Sequence, residues 1–404
     1  MFDPEQQDVF QKVLQLSIAS NMIRYCKNNA KSLQDMLAEK LPGALTEYAG
    51  KGWEVVWGPA VWKHKGATKN MSPDNVWYVA KNPALEFEDG STSCAYVVAI
   101  AGTAGTELMS YDWTHEDFNI GQVVDLLGWI NGQGITKVPV PSIPIPGDGK
   151  VYTARGTTNA VHILAAAPPV DSSQSLCEFL QTIDAPAGSK LIFTGHSLGA
   201  ALSPTLAVAL TKAGYTSKFQ GRTLVYPTGG ATPGNDQFVD LFKELFPPLG
   251  TPSTYRVWNQ NIVNRIDIVP QAWCLDPSVD LHLSNIPTLY GALPWLLNKT
   301  MRGGISIMEG YSRKSKIGYK PIPHSVFSGT PPSSPPKTFE QLVFVVEAQH
   351  LDEYGTFILG TNPHQPPLCK TFIEEEGYLW SSVLCCFEEA AKGKMDGIEP
   401  ELRN

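Results

Sequence analysis

The feature that most restricts the fold is an alternation of strand-like and helical segments in the second half of the chain. These segments are, in chain order, a strand at 191–194, a helix at 198–213, a strand at 223–226, a helix at 236–245 and a strand at 255–258. Strands that alternate with helices pair in a parallel sheet with helices on both faces. The unbroken apolar run at 94–101 is typical of a central strand in such a sheet. The sequence therefore predicts an α/β fold with a doubly wound, mainly parallel sheet.

The chain has 404 residues, enough for one large domain with appended segments. Apolar residues recur at helical spacing near the N-terminus, which predicts a helical segment at 1–50. We expect the α/β domain at 51–360, and a tail at 361–404 that is packed on the domain or partly disordered. Two irregular stretches, 119–150 and 281–336, are rich in Pro and Gly and are predicted to be lid-like insertions.

Charge and composition exclude several classes of partner. Lys and Arg total 31 against 39 Asp and Glu, a formal charge of −8, so no broad basic field exists for nucleic acid. The sequence contains no run of about 18 uncharged apolar residues, so no transmembrane segment is predicted. The polar N-terminus shows no signal peptide, so a cytoplasmic location is expected rather than secretion.

Seven scattered cysteines, an odd number, argue against both a disulfide scaffold and a zinc site, and predict buried thiols.

The sequence GHSLG at 195–199 fits the pattern G-x-S-x-G. In this pattern a strand turns sharply into a helix, and the two glycines, Gly195 and Gly199, let the serine hydroxyl stand exposed on the corner. An apolar strand ends immediately before the motif and a helical segment begins after it. Ser197 is therefore predicted to be a nucleophile. The alternative is a glycine-rich helix cap without chemistry.

A serine nucleophile needs a base, and the base needs an orienting carboxylate. Asp267 follows the last predicted strand, although its surroundings also fit a solvated turn aspartate. Four histidines follow Asp267, namely His282, His324, His350 and His364. We predict His350 as the base, because it ends a regular apolar segment at 339–348. The other three are predicted to be surface histidines in loops.

The tetrahedral intermediate of acyl transfer carries an oxyanion that preorganised N–H donors must bind. One predicted donor is the backbone N–H of Leu198, the residue after the nucleophile. The other is Thr103, in the loop directly after the buried run at 94–101. The alternative for this loop is an ordinary turn.

Together these segments resemble the class 3 lipase family, which includes small fungal triacylglycerol lipases. The sequence IFTGHSLGAAL at 192–202 resembles the family's T-G-H-S-L-G-G-A-L elbow, and AGT at 101–103 resembles its R-G-T or R-G-S oxyanion loop. The stretch 112–118 resembles W-x-x-D-L. Residues 231–238 are similar to A-P-R-V-G-N-x-x-F, and 256–270 are similar to R-V-x-x-x-x-D-x-V-P.

The resemblance implies a triad of Ser197, Asp267 and His350, with Thr103 and Leu198 as the oxyanion hole. It covers about 95–354 and leaves the N-terminal helices without a counterpart. The sequence departs from the family pattern in three places. Ala101 stands where the family usually has Arg, Ala200 replaces a glycine, and the H-x-G-F segment survives only as YTARGT at 152–157.

The expected function is carboxylic ester hydrolysis through an acyl-enzyme on Ser197, without metal or organic cofactor, in an α/β-hydrolase-type fold. The resemblance implies a fatty-acyl ester substrate such as an acylglycerol, and the family also includes feruloyl esterases and phospholipase A1-like enzymes. A lipase-like protein that binds lipid without catalysis is a second hypothesis, and a peptidase or thioesterase is a third.

Contact with a lipid surface is also expected, because two segments outside the predicted sheet are rich in large apolar residues. Such a segment either fills the core or acts as a mobile lid over the nucleophile. Of the two, 119–130 is the predicted lid because it follows the oxyanion loop closely, and 286–297 is the alternative. The oligomeric state does not follow from the sequence.

Overall fold

The computed structural model describes residues 3–102, 119–361 and 367–369. The strands of the described residues are β1 (Glu54–Trp62), β2 (Asn75–Glu86), β3 (Thr92–Ile100), β4 (Val123–Asp125), β5 (Tyr152–Ala154), β6 (Lys190–His196), β7 (Thr223–Thr228), β8 (Gly234–Asn235), β9 (Leu249–Gly250), β10 (Val257–Trp258), β11 (Asn261–Asn264), β12 (Tyr319–Lys320) and β13 (His324–Phe327).

The helices of the same residues are α1 (Val9–Ala19), α2 (Ala30–Ala49), α3 (Leu126–Gly132), α4 (Arg155–Ala166), α5 (Leu176–Thr182), α6 (Leu198–Lys212), α7 (Asp236–Leu245), α8 (Trp295–Lys314), α9 (Phe339–Glu347) and α10 (Glu353–Leu359). A π-helical turn, Ala348–Asp352, joins α9 to α10.

Within the described residues, the main sheet has seven strands in the order β1-β2-β3-β6-β7-β11-β13. The five strands from β3 to β13 are parallel, whereas β1 and β2 are antiparallel and lie at one edge. The mainly parallel sheet predicted from the alternation is therefore present. One strand was placed wrongly: the predicted strand at 255–258 is reduced to β10, which pairs with β9, and β11 takes its place in the main sheet.

Helices cover both faces of the sheet because successive side chains of each strand point to opposite sides. In β3, Tyr96 and Val98 face a core that contains α3 to α7, whereas Val97 and Ala99 face a second core that contains α1, α2 and α10. Burial on both faces explains the unbroken apolar run of this strand. The N-terminal helices are thus one of the two helical layers.

The predicted lid at 119–130 is part of the first core. Val124, Leu126 and Trp129 are at most 3% exposed and belong to a core that also contains residues of the sheet and of α6. The Trp129 indole also donates a hydrogen bond to the Lys137 carbonyl (2.8 Å). The lid prediction for this segment is wrong, because its apolar residues fill the core. The other insertion, 281–336, contains α8, and Trp295 at the start of that helix is 75% exposed.

The structure also contains a disulfide between Cys26 and Cys369, 343 positions apart in the sequence. Cys177 and Cys274 are buried thiols and Cys94 is a half-buried thiol, whereas Cys385 and Cys386 lie outside the described residues. The prediction of buried thiols is wrong for Cys26 and Cys369. An odd number of cysteines excludes complete pairing but does not exclude a single bond.

None of the helices in the described ranges combines the length and the apolar character needed to cross a membrane.

Candidate active site

The carboxyl ends of the parallel strands meet at one edge of the sheet. Ile100 of β3 is level with Gly195 of β6, and His196 is level with Thr228 of β7, which in turn is level with Ile262 of β11. The loops that follow these strands therefore lie side by side. This edge is where open α/β sheets bind their ligands.

Ser197 lies between β6 and α6 in a strained backbone conformation, with φ 60° and ψ −123°. Its N–H donates to the Thr228 carbonyl (3.0 Å), and its own carbonyl accepts from Ala200 N–H (3.0 Å) at the start of the helix. The flanking glycines leave no space for side chains. A Cβ on Gly195 would collide with the Gly199 carbonyl, and a Cβ on Gly199 would collide with the Ile100 carbonyl. The predicted strand-to-helix corner is present, with a non-glycine residue at positive φ.

Asp267 is fully buried and accepts three hydrogen bonds, which together fix the orientation of its carboxylate. One oxygen, Oδ1, accepts from the Val269 N–H (3.0 Å). The other, Oδ2, lies 2.7 Å from His350 Nδ1 and accepts from the Tyr354 hydroxyl (2.8 Å). A carboxylate held on Nδ1 keeps the proton on that nitrogen and leaves Nε2 free to act as a base. The pair is therefore arranged to accept a proton at Nε2.

The imidazole of His350 packs against the elbow (residues 195–199), with its ring centroid 4.7 Å from that of His196. His350 Nε2 is buried and has no hydrogen-bond partner among the described residues. A hydrogen bond between Ser197 and His350 is therefore not present, although the two residues lie on adjoining parts of the site. The π-helical turn that carries His350 widens the helix at this point, as such turns often do at functional sites.

His282 and His324, two of the three other histidines beyond Asp267, are not brought to this site. His324 Nε2 contacts the Asp280 carboxylate (3.0 Å), and His282 Nδ1 contacts the Ser284 hydroxyl (2.6 Å). His364 lies outside the described residues. Of the described candidates, His350 is the one whose ring contacts Asp267.

His196 is adjacent to Ser197 in sequence but points elsewhere, with Nδ1 3.0 Å from the Thr228 hydroxyl. Burial lowers the pKa of His196 well below its ordinary value, and the nearby charges of His350 and Arg24 add to this effect. A buried imidazole with a depressed pKa stays neutral at neutral pH. His196 therefore contributes packing and a polar contact to the site, and no charge.

Of the two predicted oxyanion donors, Leu198 lies within the described residues. Leu198 is the first residue of α6, so its backbone N–H is one of those left unpaired at a helix N-terminus. Thr103 lies outside the described residues. The residue before it, Gly102, is described, and its N–H donates to the Asn21 side-chain oxygen (2.9 Å). A Cβ on Gly102 would lie 3.3 Å from Ser197 Cβ, so this backbone contacts the elbow directly.

Sequence reasoning missed three residues that support the Asp267–His350 pair. Tyr354 holds Asp267 and also accepts a hydrogen bond from the Asn264 N–H (3.1 Å). The Asn264 side chain donates to the Gln349 carbonyl (2.9 Å), and Gln349 donates to the Thr330 carbonyl (2.7 Å). One signal was available for Tyr354, because it follows His350 by four positions and such residues share a helix face.

Burial also changes the pKa of two tyrosines that interact with the Asp267 carboxylate, Tyr354 and Tyr290. It raises the pKa of Tyr354 well above its ordinary value, and the charge of Asp267 adds to this effect. The pKa of Tyr290 is raised by the same two causes in the same order. Tyr354 therefore stays protonated and can donate to Asp267 over the whole working pH range.

The family described as Lipase (class 3) matches residues 137–276, which include Ser197 and Asp267. The predicted class 3 lipase resemblance is confirmed. Two rice proteins, both named "Phospholipase A1-II 3", from Oryza sativa subsp. japonica and subsp. indica, are each 30% identical to the chain over 167 residues. Each match covers 38% of this chain and 38% of the rice protein, so the match spans less than half the length of these rice proteins.

The fold is shared with a solved lipase. The structure titled "Crystal structure of M37 lipase" superposes with a TM-score of 0.63 at 23% identity, covering 88% of this chain and 94% of that chain. At this identity the likeness establishes the fold. The predicted α/β-hydrolase-type fold is confirmed.

Proposed function

We propose that the chain is a serine carboxylic ester hydrolase that acts on fatty-acyl esters such as acylglycerols. The observation that carries the proposal is the pair of buried Asp267 and half-buried His350, 2.7 Å apart, packed against a strained serine corner. A solvated turn aspartate would not be fully buried with three hydrogen-bond donors around it. A glycine-rich cap without chemistry does not require a serine at positive φ.

In the proposed reaction, Ser197 Oγ attacks the ester carbonyl carbon while His350 Nε2 takes the hydroxyl proton. Asp267 stabilises the imidazolium that forms, and the Leu198 N–H binds the developing oxyanion. The tetrahedral intermediate then expels the alcohol, which receives the proton from His350, and leaves an acyl group on Ser197. Water attacks this acyl-enzyme with His350 again as base, which releases the carboxylic acid and restores the serine.

The test of this proposal is the activity of Ser197→Ala and of three His→Ala variants. Ser197→Ala and His350→Ala are expected to lose at least three orders of magnitude in kcat on a soluble p-nitrophenyl ester. His282→Ala and His324→Ala are matched controls, because their rings contact Ser284 and Asp280 instead. An active His350→Ala together with an inactive control would overturn the assignment of the base.

A fluorophosphonate probe separates catalysis from silent lipid binding, because only an activated serine reacts with it at an appreciable rate. We expect the chain to be labelled at Ser197 and the His350→Ala variant to be labelled far more slowly. If lipid binds but the probe does not react, the chain is a binding protein.

We also propose that the chain contacts a lipid surface through three exposed residues, Trp295, Leu296 and Phe344, which we call the α8–α9 patch. Their exposed fractions are 75%, 67% and 53%. The helices that carry them share a small core with Ile266 and Ile268, the neighbours of Asp267. An apolar patch continuous with the site would place its entrance at the lipid surface.

A phospholipid substrate is a second candidate, and Arg24 is the observation that favours it. Its positive charge contributes to the lowered pKa of His196, and its guanidinium lies 4.5 Å from the centroid of the Tyr25 ring. No carboxylate of the described residues forms an ion pair with it. A guanidinium beside an ester hydrolase site can bind a phosphate.

The two substrate classes are separated by Arg24→Gln. If phospholipid is the substrate, the variant loses hydrolysis of phosphatidylglycerol about tenfold and keeps hydrolysis of diacylglycerol. If Arg24→Gln hydrolyses both lipids at the rates of the unmodified chain, the acylglycerol is favoured.

A further inference from the structure

We infer that Asn21, from the N-terminal helical layer, is a positioning residue for the oxyanion loop. This inference rests on the proposed ester hydrolysis. Asn21 follows the end of α1 by two positions, and its side-chain Oδ1 accepts a hydrogen bond from the Gly102 N–H (2.9 Å). The amide is oriented by its other end, because Nδ2 donates to the Ser17 carbonyl (3.0 Å). One helical layer therefore reaches across the sheet edge to the predicted site.

Gly102 is the point at which the sheet stops holding the chain. Ile100 is the last residue of β3, and the Ala101 N–H still donates to the Val76 carbonyl (2.9 Å). The N–H of Gly102 donates to the Asn21 side chain instead of to a strand carbonyl. Because a peptide rotates about its flanking bonds, this hydrogen bond fixes the orientation of the Gly102 peptide, the last one described before Thr103.

The contact lies close to the nucleophile. Asn21 Oδ1 and Ser197 Cβ both lie within 3.5 Å of the point where a Cβ on Gly102 would be. The acceptor is a neutral amide, which holds the backbone without adding negative charge beside a developing oxyanion. A carboxylate at this position would repel that oxyanion.

The small residue at position 101 makes this approach possible. Ala101 is buried in the same core as Ala19 and Met22 of the N-terminal segment. The family resemblance predicts Arg at this position, whose long side chain would occupy the space. The departure from the family pattern and the presence of the N-terminal layer are thus two parts of one arrangement.

The residues that follow Asn21 are also anchored, at Met22 and at Cys26. The Leu368 N–H donates to the Met22 carbonyl (2.8 Å), and Cys26 is bonded to Cys369. Asn21 is therefore presented to Gly102 from a segment that is fixed on both sides. A fixed acceptor is what positioning requires, because an oxyanion donor that is misplaced by about 1 Å costs a large factor in rate.

The test compares Asn21→Leu, which keeps the size but removes the acceptor, with Asp8→Ala as a matched control. Asp8 caps the other end of α1 and is remote in sequence from Gly102. We expect Asn21→Leu to lower kcat on a soluble ester about tenfold with KM within twofold, and to speed exchange of the Gly102 amide hydrogen. Asp8→Ala is expected to lower the melting temperature and to keep kcat when assayed well below it.

Unchanged kcat and unchanged Gly102 exchange in Asn21→Leu would overturn the inference. An equal loss of kcat in both variants would also overturn it, because the effect would then be general destabilisation. If Asn21→Leu does not fold, Asn21→Gln replaces it, since Gln keeps the neutral amide but displaces the acceptor by one methylene. In that variant, faster Gly102 exchange with a lower kcat supports the inference, and faster exchange with wild-type kcat overturns it.

The failure of the inference is distinguishable from the failure of the proposed function. Hydrolysis and fluorophosphonate labelling by the unmodified chain test the function alone. A chain that hydrolyses no ester overturns both, whereas an active chain with an equally active Asn21→Leu variant overturns this inference only.

Discussion

At the scale of single residues, Tyr354 shares one carboxylate oxygen of Asp267 with His350. Tyr354→Phe removes that donor and also leaves the buried Asn264 N–H without its acceptor. We expect the free energy of unfolding to fall by about 1–3 kcal/mol, since a buried polar group is left unsatisfied. We also expect kcat to fall about fivefold to tenfold, because Asp267 is less firmly held.

Urea unfolding and steady-state kinetics check the two effects separately. Phe327→Leu is the control, because Phe327 packs on the Tyr354 ring but makes no contact with Asp267 through a polar atom. A Tyr354→Phe variant with reduced stability and wild-type kcat would limit the role of the hydroxyl to folding.

His196 gives the site a dependence of stability on pH. Its pKa is lowered in the folded state, so the unfolded chain binds a proton first as the pH falls through about 6.5. The contribution of the neutral imidazole is therefore complete above that pH and is lost below it, by up to about 1.4 kcal/mol per pH unit. We expect the free energy of unfolding to be lower at pH 5.5 than at pH 7.5.

Urea titrations of the wild type and of His196→Asn at both pH values check this expectation. The Asn side chain can still contact Thr228 but does not titrate. If the two proteins lose the same stability between pH 7.5 and 5.5, another group is responsible.

At the scale of elements, the α8–α9 patch is expected to govern activity on lipid surfaces. Trp295→Ser removes the most exposed apolar side chain of this patch. We therefore expect activity on an emulsified long-chain ester to fall several-fold and activity on a soluble short-chain ester to change little. The measurement is the rate as a function of substrate concentration across the solubility limit.

Ile143→Ser is the matched comparison, because Ile143 is 83% exposed on the 136–146 loop, outside the α8–α9 patch. It is expected to leave both activities unchanged. If Ile143→Ser, rather than Trp295→Ser, reduces activity on the emulsion, the lipid-facing surface is that loop.

The parallel sheet, the corner at Ser197 and the segment 119–130 show which features the sequence patterns predict and which they do not. Alternating segments predicted the parallel sheet, and the elbow glycines predicted the corner at Ser197, because both depend on local spacing. The role of 119–130 was not predictable, because apolar residues look the same in a lid and in a core. Whether Trp129 is buried depends on the elements packed around it, including α6, about seventy positions away.

Long-range pairing limited the prediction of the site in the same way. Asp267 and His350 were selected from their segments, but their contact spans 83 positions and is visible only in the folded chain. A lone asparagine after a helix carries no signal by itself, so the sequence does not single out Asn21. Its partner Gly102 is 81 positions away.

At the scale of the whole molecule, the Cys26–Cys369 bond is expected to be a major source of stability. It closes a very long loop, and such bonds typically contribute about 3–5 kcal/mol by restricting the unfolded chain. We expect Cys26→Ser with Cys369→Ser to lower the free energy of unfolding by that amount. Denaturant titration without reductant is the measurement, and Cys94→Ser, at a free thiol, is the control.

The bond also bears on location, because disulfides persist mainly in oxidising compartments. The cytoplasmic location expected from the N-terminus stays a prediction. Mass spectrometry of thiol-labelled protein from its native source distinguishes the two, since a linked Cys26–Cys369 peptide indicates an oxidising compartment and two labelled thiols indicate the cytoplasm.

Finally, the Cys26–Cys369 bond makes the chain between these residues a covalent ring. Ser197, Asp267 and His350 all lie inside this ring, and so does Gly102, whereas Asn21 lies on the short arm that leaves it. A protease that cuts the ring once, for example beside the exposed Ile143, opens it without separating two fragments. The two pieces of the nicked protein stay covalently joined, with Ser197, Asp267 and His350 on one and Asn21 and Gly102 on the other, and they can separate only after the bond is reduced.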